Sequence, residues 1–173
     1  DDKKTNFDNI ISLIPFDKKI DILLLPEYFN CPHDITKMKT YAEYLRPGHE
    51  TYDFLTKLSK KMTHTYIIAG SIPESDNYNI YNTCTVWNNG SLITKYRKMY
   101  SFNLYRQIDE KDYITPGDKP IIVETPWCKI GLGINYELRF SKLANYYYEN
   151  DCKIICYLAN FSQDTGPLHW ELL

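Results

Sequence analysis

The chain has 173 residues, enough for one domain with a substantial core, and 43% of them are hydrophobic. No apolar run approaches the roughly 18 residues that a membrane-spanning helix needs, and the polar first residues do not form a signal peptide. The net charge of -2 and the dispersed basic residues argue against nucleic acid as the main partner.

The first half of the chain alternates helical and strand patterns. Apolar residues recur at helical spacing in residues 5–16 and again in residues 51–63. They are Phe7, Ile10, Ile11 and Ile14, then Phe54, Leu55, Leu58 and Met62. The runs "KIDILLLPE" and "YIIAGS" are short and continuously apolar, which is typical of strands buried on both faces.

The second half adds a hairpin, a long loop and further strands. Asn89 and Gly90 between two strand-like runs predict a β-hairpin. Residues 99–120 lack periodicity and predict a long loop, which in a compact domain is usually functional. Residues 121–134 predict two strands around a Pro turn. A helix that opens at Tyr136, a last strand at 152–160 and a helix with Pro167 in its first turn complete the series.

Alternating helices and strands with one interrupting hairpin predict an α/β fold with a mixed sheet. No strand precedes the first helix, and the last helix stops after roughly two turns. We therefore expect that residues are missing at both ends, the C-terminal part above all. We see no internal repeat or linker and treat residues 1–173 as one domain.

The five cysteines are odd in number and irregularly spaced, which predicts reduced thiols and a cytoplasmic protein. Cys152 and Cys156 form a C-x-x-x-C pair with only His169 near them. Because no matching pair follows, we predict no metal site. Nothing in the sequence suggests a cofactor.

Three polar residues follow the ends of apolar runs: Glu27, Lys98 and Asn135. Ligands of open α/β sheets bind outside the carboxyl ends of the strands, so these side chains are expected to share a pocket. Glu110, in the long loop, is a fourth candidate. The alternative for each charged residue alone is a solvated loop position, because Glu and Lys are mostly exposed.

The stretch "KIGLGINYELRF" carries Gly131-x-Gly133 after a strand, as in a dinucleotide-binding fingerprint. The third glycine is absent, since that position holds Tyr136. We therefore expect the two glycines to permit close approach of the strand to a neighbouring layer.

The collinear motifs "LLLPEYF", "GSIPE", "YNTCTVWNNGSLITKYRKMYSF", "TPGD", "TPWCKIGLGINYELRFSKLA" and "TGPLHWELL" resemble the nitrilase, or carbon–nitrogen hydrolase, superfamily. The resemblance covers essentially the whole chain and is strongest to the ω-amidase branch. It implies a four-layer α-β-β-α sandwich. It also implies hydrolysis of small linear amides, such as dicarboxylate monoamides, by a Glu-Lys-Cys triad that a second Glu assists.

By this resemblance, Glu27 is the base of the triad, Lys98 is its lysine and Glu110 is the assisting second glutamate. The family pattern G-x-G-I-C-Y-[DE]-x-R-F reads "GLGINYELRF" here, so the nucleophile position holds Asn135. A carboxamide is a poor nucleophile. Loss of the nucleophile from a cooperative triad costs on the order of a millionfold in another enzyme.

Tyr136, Arg139 and Phe161 are the residues that we expect to contact the substrate. The chain also departs from the family at Tyr100 and Ser101, where His-Leu is common, and in a shorter loop from Phe102 to Glu110.

A substitute nucleophile is one alternative to an inactive triad. Cys31 follows Glu27 by four residues, whereas Cys128 lies about 20 Å from Asn135 along the strand and Cys156 is expected in the core. Two roles without catalysis also stay open. The chain could be a binding module for a small amide or carboxylate, or a homodimer that uses Tyr146, Tyr147 and Tyr148.

Overall fold

The computed structural model describes residues 2–104, 108–164 and 166–170. The helices of this part are α1 (Lys3–Leu13), α2 (Met38–Tyr41), α3 (Glu50–Lys61), α4 (Ser141–Glu149) and α5 (Gly166–Trp170). The strands are β1 (Ile22–Leu25), β2 (Tyr66–Asp76), β3 (Asn79–Asn88), β4 (Ser91–Arg97), β5 (Asn103–Leu104), β6 (Ile108–Asp109), β7 (Ile122–Glu124), β8 (Lys129–Ile134) and β9 (Cys152–Leu158). Short 3₁₀ turns lie at Ile35–Lys37, Glu110–Asp112 and Asn135–Arg139.

The strands form two mixed sheets and one small hairpin. The first sheet has the order β1-β2-β3-β4, with β1 parallel to β2 and the other pairs antiparallel. The second has the order β7-β8-β9, in which β7 is antiparallel and β9 parallel to β8. Strands β5 and β6 form a separate two-stranded sheet within the described part of the chain. The predicted α/β class with mixed sheets is therefore confirmed.

Two hydrophobic cores stack the elements in four layers. Apolar residues of α1 and α3 pack on one face of the first sheet, around Leu55, Ile67 and Trp87. The other face of that sheet meets the second sheet through residues such as Val86 and Leu132. Helix α4 covers the outer face of the second sheet, where Tyr147 lies over Gly131. The order of layers is α-β-β-α, as the resemblance implies.

Gly131 lets α4 approach β8 closely. A Cβ atom at this position would lie 2.4 Å from the ring of Tyr147, whose hydroxyl donates a 2.6 Å hydrogen bond to the carbonyl of Leu132. The predicted role of Gly131 in layer packing is thus correct. Gly133 differs, because its added Cβ would meet Tyr157 of the neighbouring strand β9 at 2.5 Å.

Gly131→Ala is expected to destabilise the protein by about 1–3 kcal/mol, because the buried Tyr147 ring must move away from the new methyl group. Chemical denaturation measures this change. The matched control is Gly166→Ala, where the nearest heavy atom to an added Cβ is 3.6 Å away and the change should stay within about 0.5 kcal/mol. Equal effects of the two substitutions would contradict the packing argument.

Several details of the predicted elements, including some of their boundaries, were wrong. The helix expected from Tyr136 is a 3₁₀ turn, and α4 begins only at Ser141, because Phe140 between them is extended with φ -102° and ψ 94°. The loop at 99–120 contains the β5–β6 hairpin and a 3₁₀ turn. Ile11, placed on the apolar face of the first helix, is exposed. Strand β2 continues through Pro73, beyond its pairing with β1, where a missing N–H is tolerated.

A buried ionic network closes one end of the first sheet. Arg97 donates two hydrogen bonds to the carboxylate of Glu74, at 2.8 and 2.9 Å, and a third to Asp76. Lys95 and Thr83 also donate to Glu74. Burial alone raises the pKa of Glu74, but the hydrogen bonds from Arg97, Lys95 and Thr83 outweigh it and hold the pKa below its ordinary value.

This network predicts a loss of stability in acid. Because the pKa of Glu74 is lower in the folded protein than the ordinary 4.5, the unfolded chain binds the proton more tightly. The contribution of ionised Glu74 is complete above about pH 4.5 and is lost as the pH falls through the lowered folded-state pKa.

Arg97→Gln is expected to lower the free energy of unfolding at pH 7 by about 3 kcal/mol, the low end for a broken buried pair, because Lys95 and Thr83 remain. It should also move acid unfolding to higher pH. Circular dichroism across a pH series measures both effects, with exposed Arg46→Gln as the control. An unchanged acid transition in Arg97→Gln would refute this role of the ion pair.

Candidate active site

Glu27 is held by an unusual approach of β1 and β2. The chain leaves β1 at Leu25, and Ser71 of β2 donates its N–H to the carbonyl of Pro26 at 3.3 Å. A Cβ at Gly70 would lie 1.8 Å from that carbonyl oxygen, so this contact requires glycine. The next residue, Tyr28, has φ 52° and donates its N–H to the Ser71 hydroxyl. These contacts aim the Glu27 side chain between the sheets.

Lys98 and Glu110 form a buried pair beside Glu27. The Lys98 ammonium donates to both carboxylate oxygens of Glu110, at 3.0 and 2.9 Å, and lies 4.0 Å from Oε1 of Glu27. The N–H of Phe102 donates to Glu110 at 2.7 Å. All three residues are buried: the exposed fraction is 2% for Glu27, 5% for Lys98 and 6% for Glu110. The alternative of solvated loop charges is therefore wrong for all three.

Asn135 completes the group from the end of β8. Its Nδ2 donates to Oε2 of Glu27 at 2.6 Å, while Nδ2 of Asn82 donates to Oε1 at 3.0 Å. The backbone of Asn135 is left-handed, with φ 46°. Asparagine adopts this conformation more readily than most residues because its short polar side chain bonds locally. The structure thus brings together all four residues predicted at the strand ends and in the loop.

Glu137 is a buried residue of this region that sequence reasoning did not assign to the site. Its carboxylate accepts hydrogen bonds from the N–H groups of Met99, Tyr100 and Ile134, at 2.7 to 3.0 Å, and from the Tyr96 hydroxyl. Burial raises the pKa of Glu137, and these donors offset only part of that effect. One side chain thereby ties the chain around Lys98 to the turn at Asn135.

The predicted substrate-contacting residues lie in different surroundings. Tyr136 packs edge-on against Phe102 and Phe140, with ring centroids 5.1 and 5.4 Å away. Arg139 is exposed on the 3₁₀ turn that follows Asn135. Phe161 is half-buried after β9, and its ring centroid lies 6.4 Å from that of Trp170. A role in substrate binding stays a prediction for each.

Tyr100, where histidine is common in the family, belongs to a group of packed aromatic rings. The ring of Tyr100 stacks on Phe140 with centroids 4.2 Å apart, and Phe140 in turn contacts Tyr136. The backbone N–H of Tyr100 also donates to Glu137. This substitution therefore adds apolar surface beside the turn that carries Asn135.

Cys31 and Cys156 are poor substitutes for a nucleophile. Burial raises the pKa of Cys31 to about 12, and the thiol packs in an apolar cluster with Tyr28 and Met38. Burial likewise raises the pKa of Cys156 to about 11 in the core between the sheets. A thiol with a raised pKa supplies little thiolate at neutral pH.

The predicted absence of a metal site stays a prediction. Within residues 2–104, 108–164 and 166–170, no three His, Cys, Asp or Glu side chains are grouped so that they could hold an ion. The side chain of His169 lies outside the described part. In the same ranges no helix is long and apolar enough to cross a membrane.

The match to a family model decides the relationship. The carbon-nitrogen hydrolase model matches residues 1–173. The chain belongs to the carbon–nitrogen hydrolase family. The resemblance inferred from the sequence motifs is thereby confirmed.

Relatives within this family are similar along most of the chain. Omega-amidase NIT2-A of Xenopus laevis is 40% identical over 161 residues, which are 90% of this chain and 57% of the relative. Omega-amidase NIT2 of Homo sapiens is 40% identical over 157 residues, which are 88% of this chain and 56% of the relative. The chain thus spans little more than half the length of these relatives.

A solved structure is similar in both sequence and fold. Nit3 of Saccharomyces cerevisiae, a member of branch 10 of the nitrilase superfamily, aligns with a TM-score of 0.85 at 32% identity. The alignment covers 99% of this chain and 64% of that chain. The nitrilase-like sandwich is therefore confirmed as the fold of this carbon–nitrogen hydrolase.

Proposed function

We propose that this carbon–nitrogen hydrolase chain carries the site of an amidase for small linear amides, such as dicarboxylate monoamides, in which Asn135 prevents the first chemical step. The observation that carries the proposal is the 2.6 Å contact from Asn135 Nδ2 to Oε2 of Glu27. The proposed base thus lies directly on the side chain at the nucleophile position. The omega-amidase names of the similar proteins support this substrate class.

With cysteine at position 135, the residues would divide the reaction as follows. Glu27 takes the thiol proton, and the thiolate attacks the amide carbonyl to form a tetrahedral intermediate. Glu27 then gives that proton to the amide nitrogen, and the carbon–nitrogen bond breaks to release ammonia and leave a thioester. The Lys98 ammonium and the backbone N–H of Tyr136 stabilise the oxyanion. Glu110 orients Lys98 through two hydrogen bonds. Water activated by Glu27 then releases the acid.

Asn135 interrupts this sequence at its start. Its amide nitrogen shares its lone pair with the carbonyl and is a poor nucleophile, and Glu27 accepts a hydrogen bond from it where a thiol would give up a proton. Glu27, Lys98 and Glu110 stay buried and paired around it. The arrangement retains the buried polar side chains around position 135 without a nucleophile.

Ammonia release from dicarboxylate monoamides tests the proposal. The parent protein should release ammonia at the background rate, as should Asn135→Ala, whereas Asn135→Cys should turn over. The left-handed backbone at position 135 costs Cys about 1 kcal/mol more than Asn, which folding tolerates. Turnover by the parent at a rate like that of Asn135→Cys would refute the inactivation, and an inactive but folded Asn135→Cys would refute the amidase site.

A binding module is the second candidate, and the buried polar side chains around Asn135 favour it. Calorimetry against dicarboxylate monoamides and dicarboxylates should detect heat at millimolar ligand for the parent. Lys98→Met removes the buried cation and should abolish that heat, while exposed Lys18→Met should not. Absence of heat for a folded parent would count against this candidate.

We also infer a homodimer and a cytoplasmic location. Tyr146 and Tyr148 are exposed on α4, with 83% of Tyr148 accessible, and aromatic residues are common in interfaces. Tyr147, by contrast, is buried under its own helix. All five cysteines are free thiols, which supports a reducing compartment. Analytical sedimentation tests the dimer. A full-length protein that sediments as a monomer would refute the homodimer.

A further inference from the structure

Two buried polar atoms beside Glu27 have no hydrogen-bond partner within the described part of the chain. They are the hydroxyl of Tyr28 and Oδ1 of Asn82. Tyr28 is 2% exposed and Asn82 is 0% exposed, so bulk water does not satisfy either group. A buried polar group without a partner is unfavourable, so a partner is expected for each of the two.

Both residues adjoin Glu27, Asn82 through a hydrogen bond and Tyr28 as its neighbour in the chain. Nδ2 of Asn82 donates a hydrogen bond to Oε1 of Glu27, which leaves the side-chain carbonyl oxygen of Asn82 as an acceptor. Ile80 lies two residues earlier on the same face of β3 and packs in the cluster that contains Tyr28. The charges of Glu27 and Glu110 both act on the Tyr28 hydroxyl. The two unpaired groups thus lie at the edge of the Glu27–Lys98–Glu110 group.

The backbone of Tyr28 adopts a left-handed conformation that Ser71 holds in place. Tyr28 has φ 52°, a conformation uncommon for an aromatic residue, and Ser71 holds it through a hydrogen bond to its N–H. Burial raises the pKa of Tyr28 far above its ordinary value, and the carboxylates of Glu27 and Glu110 raise it further. The hydroxyl therefore stays protonated and acts as a neutral donor.

We propose that Tyr28 and Asn82 hold a single water molecule against Glu27, and that this is the water that hydrolyses the acyl-enzyme. A ligand here must accept one hydrogen bond from Tyr28 and give two, to Asn82 Oδ1 and to the Glu27 carboxylate. Water has this pattern, and a substrate carboxylate does not. Ammonia, the leaving group of an amidase, shares it and is separated from water by the experiment below.

In this step Glu27 takes a proton from the held water, and the water oxygen bonds to the thioester carbonyl. The carbon–sulfur bond then breaks to release the acid, and the thiol regains the proton. Tyr28 and Asn82 act by positioning the water. Only this kinetic part rests on the proposed amidase function; the binding site itself does not.

A high-resolution crystal structure of the parent, grown without ammonium salts, tests the site. It is expected to show one density peak within hydrogen-bond distance of the Tyr28 hydroxyl, Asn82 Oδ1 and Glu27. Tyr28→Phe should lose this peak, whereas Tyr52→Phe on α3 should keep it. The peak should also stay in place in crystals soaked in ammonium chloride. Absence of the peak from the parent, or its retention in Tyr28→Phe, would overturn the site.

Kinetics of the Asn135→Cys protein test the assigned role. Adding Tyr28→Phe is expected to slow turnover about tenfold, while the first equivalent of ammonia is released as fast as before. The acyl-enzyme should accumulate, and hydroxylamine, which needs no held water, should restore its breakdown. An equal slowing of the ammonia burst and of turnover would overturn the role in hydrolysis. No acyl-enzyme at all would refute the amidase proposal, while the crystal structure still decides the site.

Discussion

In the Asn135→Cys protein, a further Glu27→Gln substitution is expected to lower amide hydrolysis by on the order of 10⁴-fold, as for a member of a cooperative triad. Glutamine has nearly the same shape and keeps an oxygen for the hydrogen bond from Asn82, but it cannot take a proton from the thiol. The rate of ammonia release per folded protein measures the loss.

The control for this change is Glu149→Gln, an exposed substitution at the end of α4 in the same Asn135→Cys background. It should leave the rate unchanged within about twofold, as expected for a surface position away from the site. Thermal unfolding of both variants confirms that the compared proteins are folded. A Glu27→Gln variant that keeps a tenth or more of the activity would exclude Glu27 as the base.

Glu137→Gln is expected to lower the free energy of unfolding by about 3 kcal/mol. The carboxylate accepts from three backbone N–H groups and one hydroxyl, and glutamine offers one oxygen in place of two. Its NH₂ group would face buried N–H donors and leave them without an acceptor. Denaturation in urea measures the change.

Tyr96→Phe provides the comparison for Glu137, because it removes only one of the donors and should cost about 1 kcal/mol. A Glu137→Gln protein that is as stable as the parent would show that the carboxylate does not hold the Lys98 and Asn135 segments together. If the carboxylate does hold them, Glu137→Gln should also weaken ligand binding in calorimetry more than Tyr96→Phe does.

The strand ends that carry the site could be predicted from the sequence because their signals are local. Continuous apolar runs marked β1 and β8, and the polar residues after these two runs pointed to Glu27 and Asn135. Lys98 follows β4, the hairpin strand that Asn89 and Gly90 predict. The family motifs then supplied Glu110, which lies in a segment with no periodic pattern of its own.

The parts that could not be predicted depend on contacts between distant segments. Asn82 bonds to Glu27 across 55 positions of sequence, and Glu137 bonds to Met99 across 38. Nothing local distinguishes Asn82 from an ordinary strand residue. The 3₁₀ turn at Asn135–Arg139 likewise could not be predicted from apolar spacing, because the extended backbone of Phe140 separates it from α4.

The charges of the site also became interpretable only from its geometry. Read singly, Glu27, Lys98 and Glu110 resemble solvated loop residues, as most Glu and Lys are. Burial of all three is tolerated because they pair with one another and because Asn82, Asn135 and the Phe102 N–H satisfy the carboxylate oxygens.

Intact-protein mass spectrometry after acid quenching tests most directly whether only the nucleophile is missing. Mixed with a dicarboxylate monoamide, the Asn135→Cys protein should gain the mass of the amide less ammonia. The peptide that contains residue 135 should carry this added mass. The parent and Asn135→Ala should gain nothing. An adduct on the parent, or one on Cys31 in place of residue 135, would contradict the account.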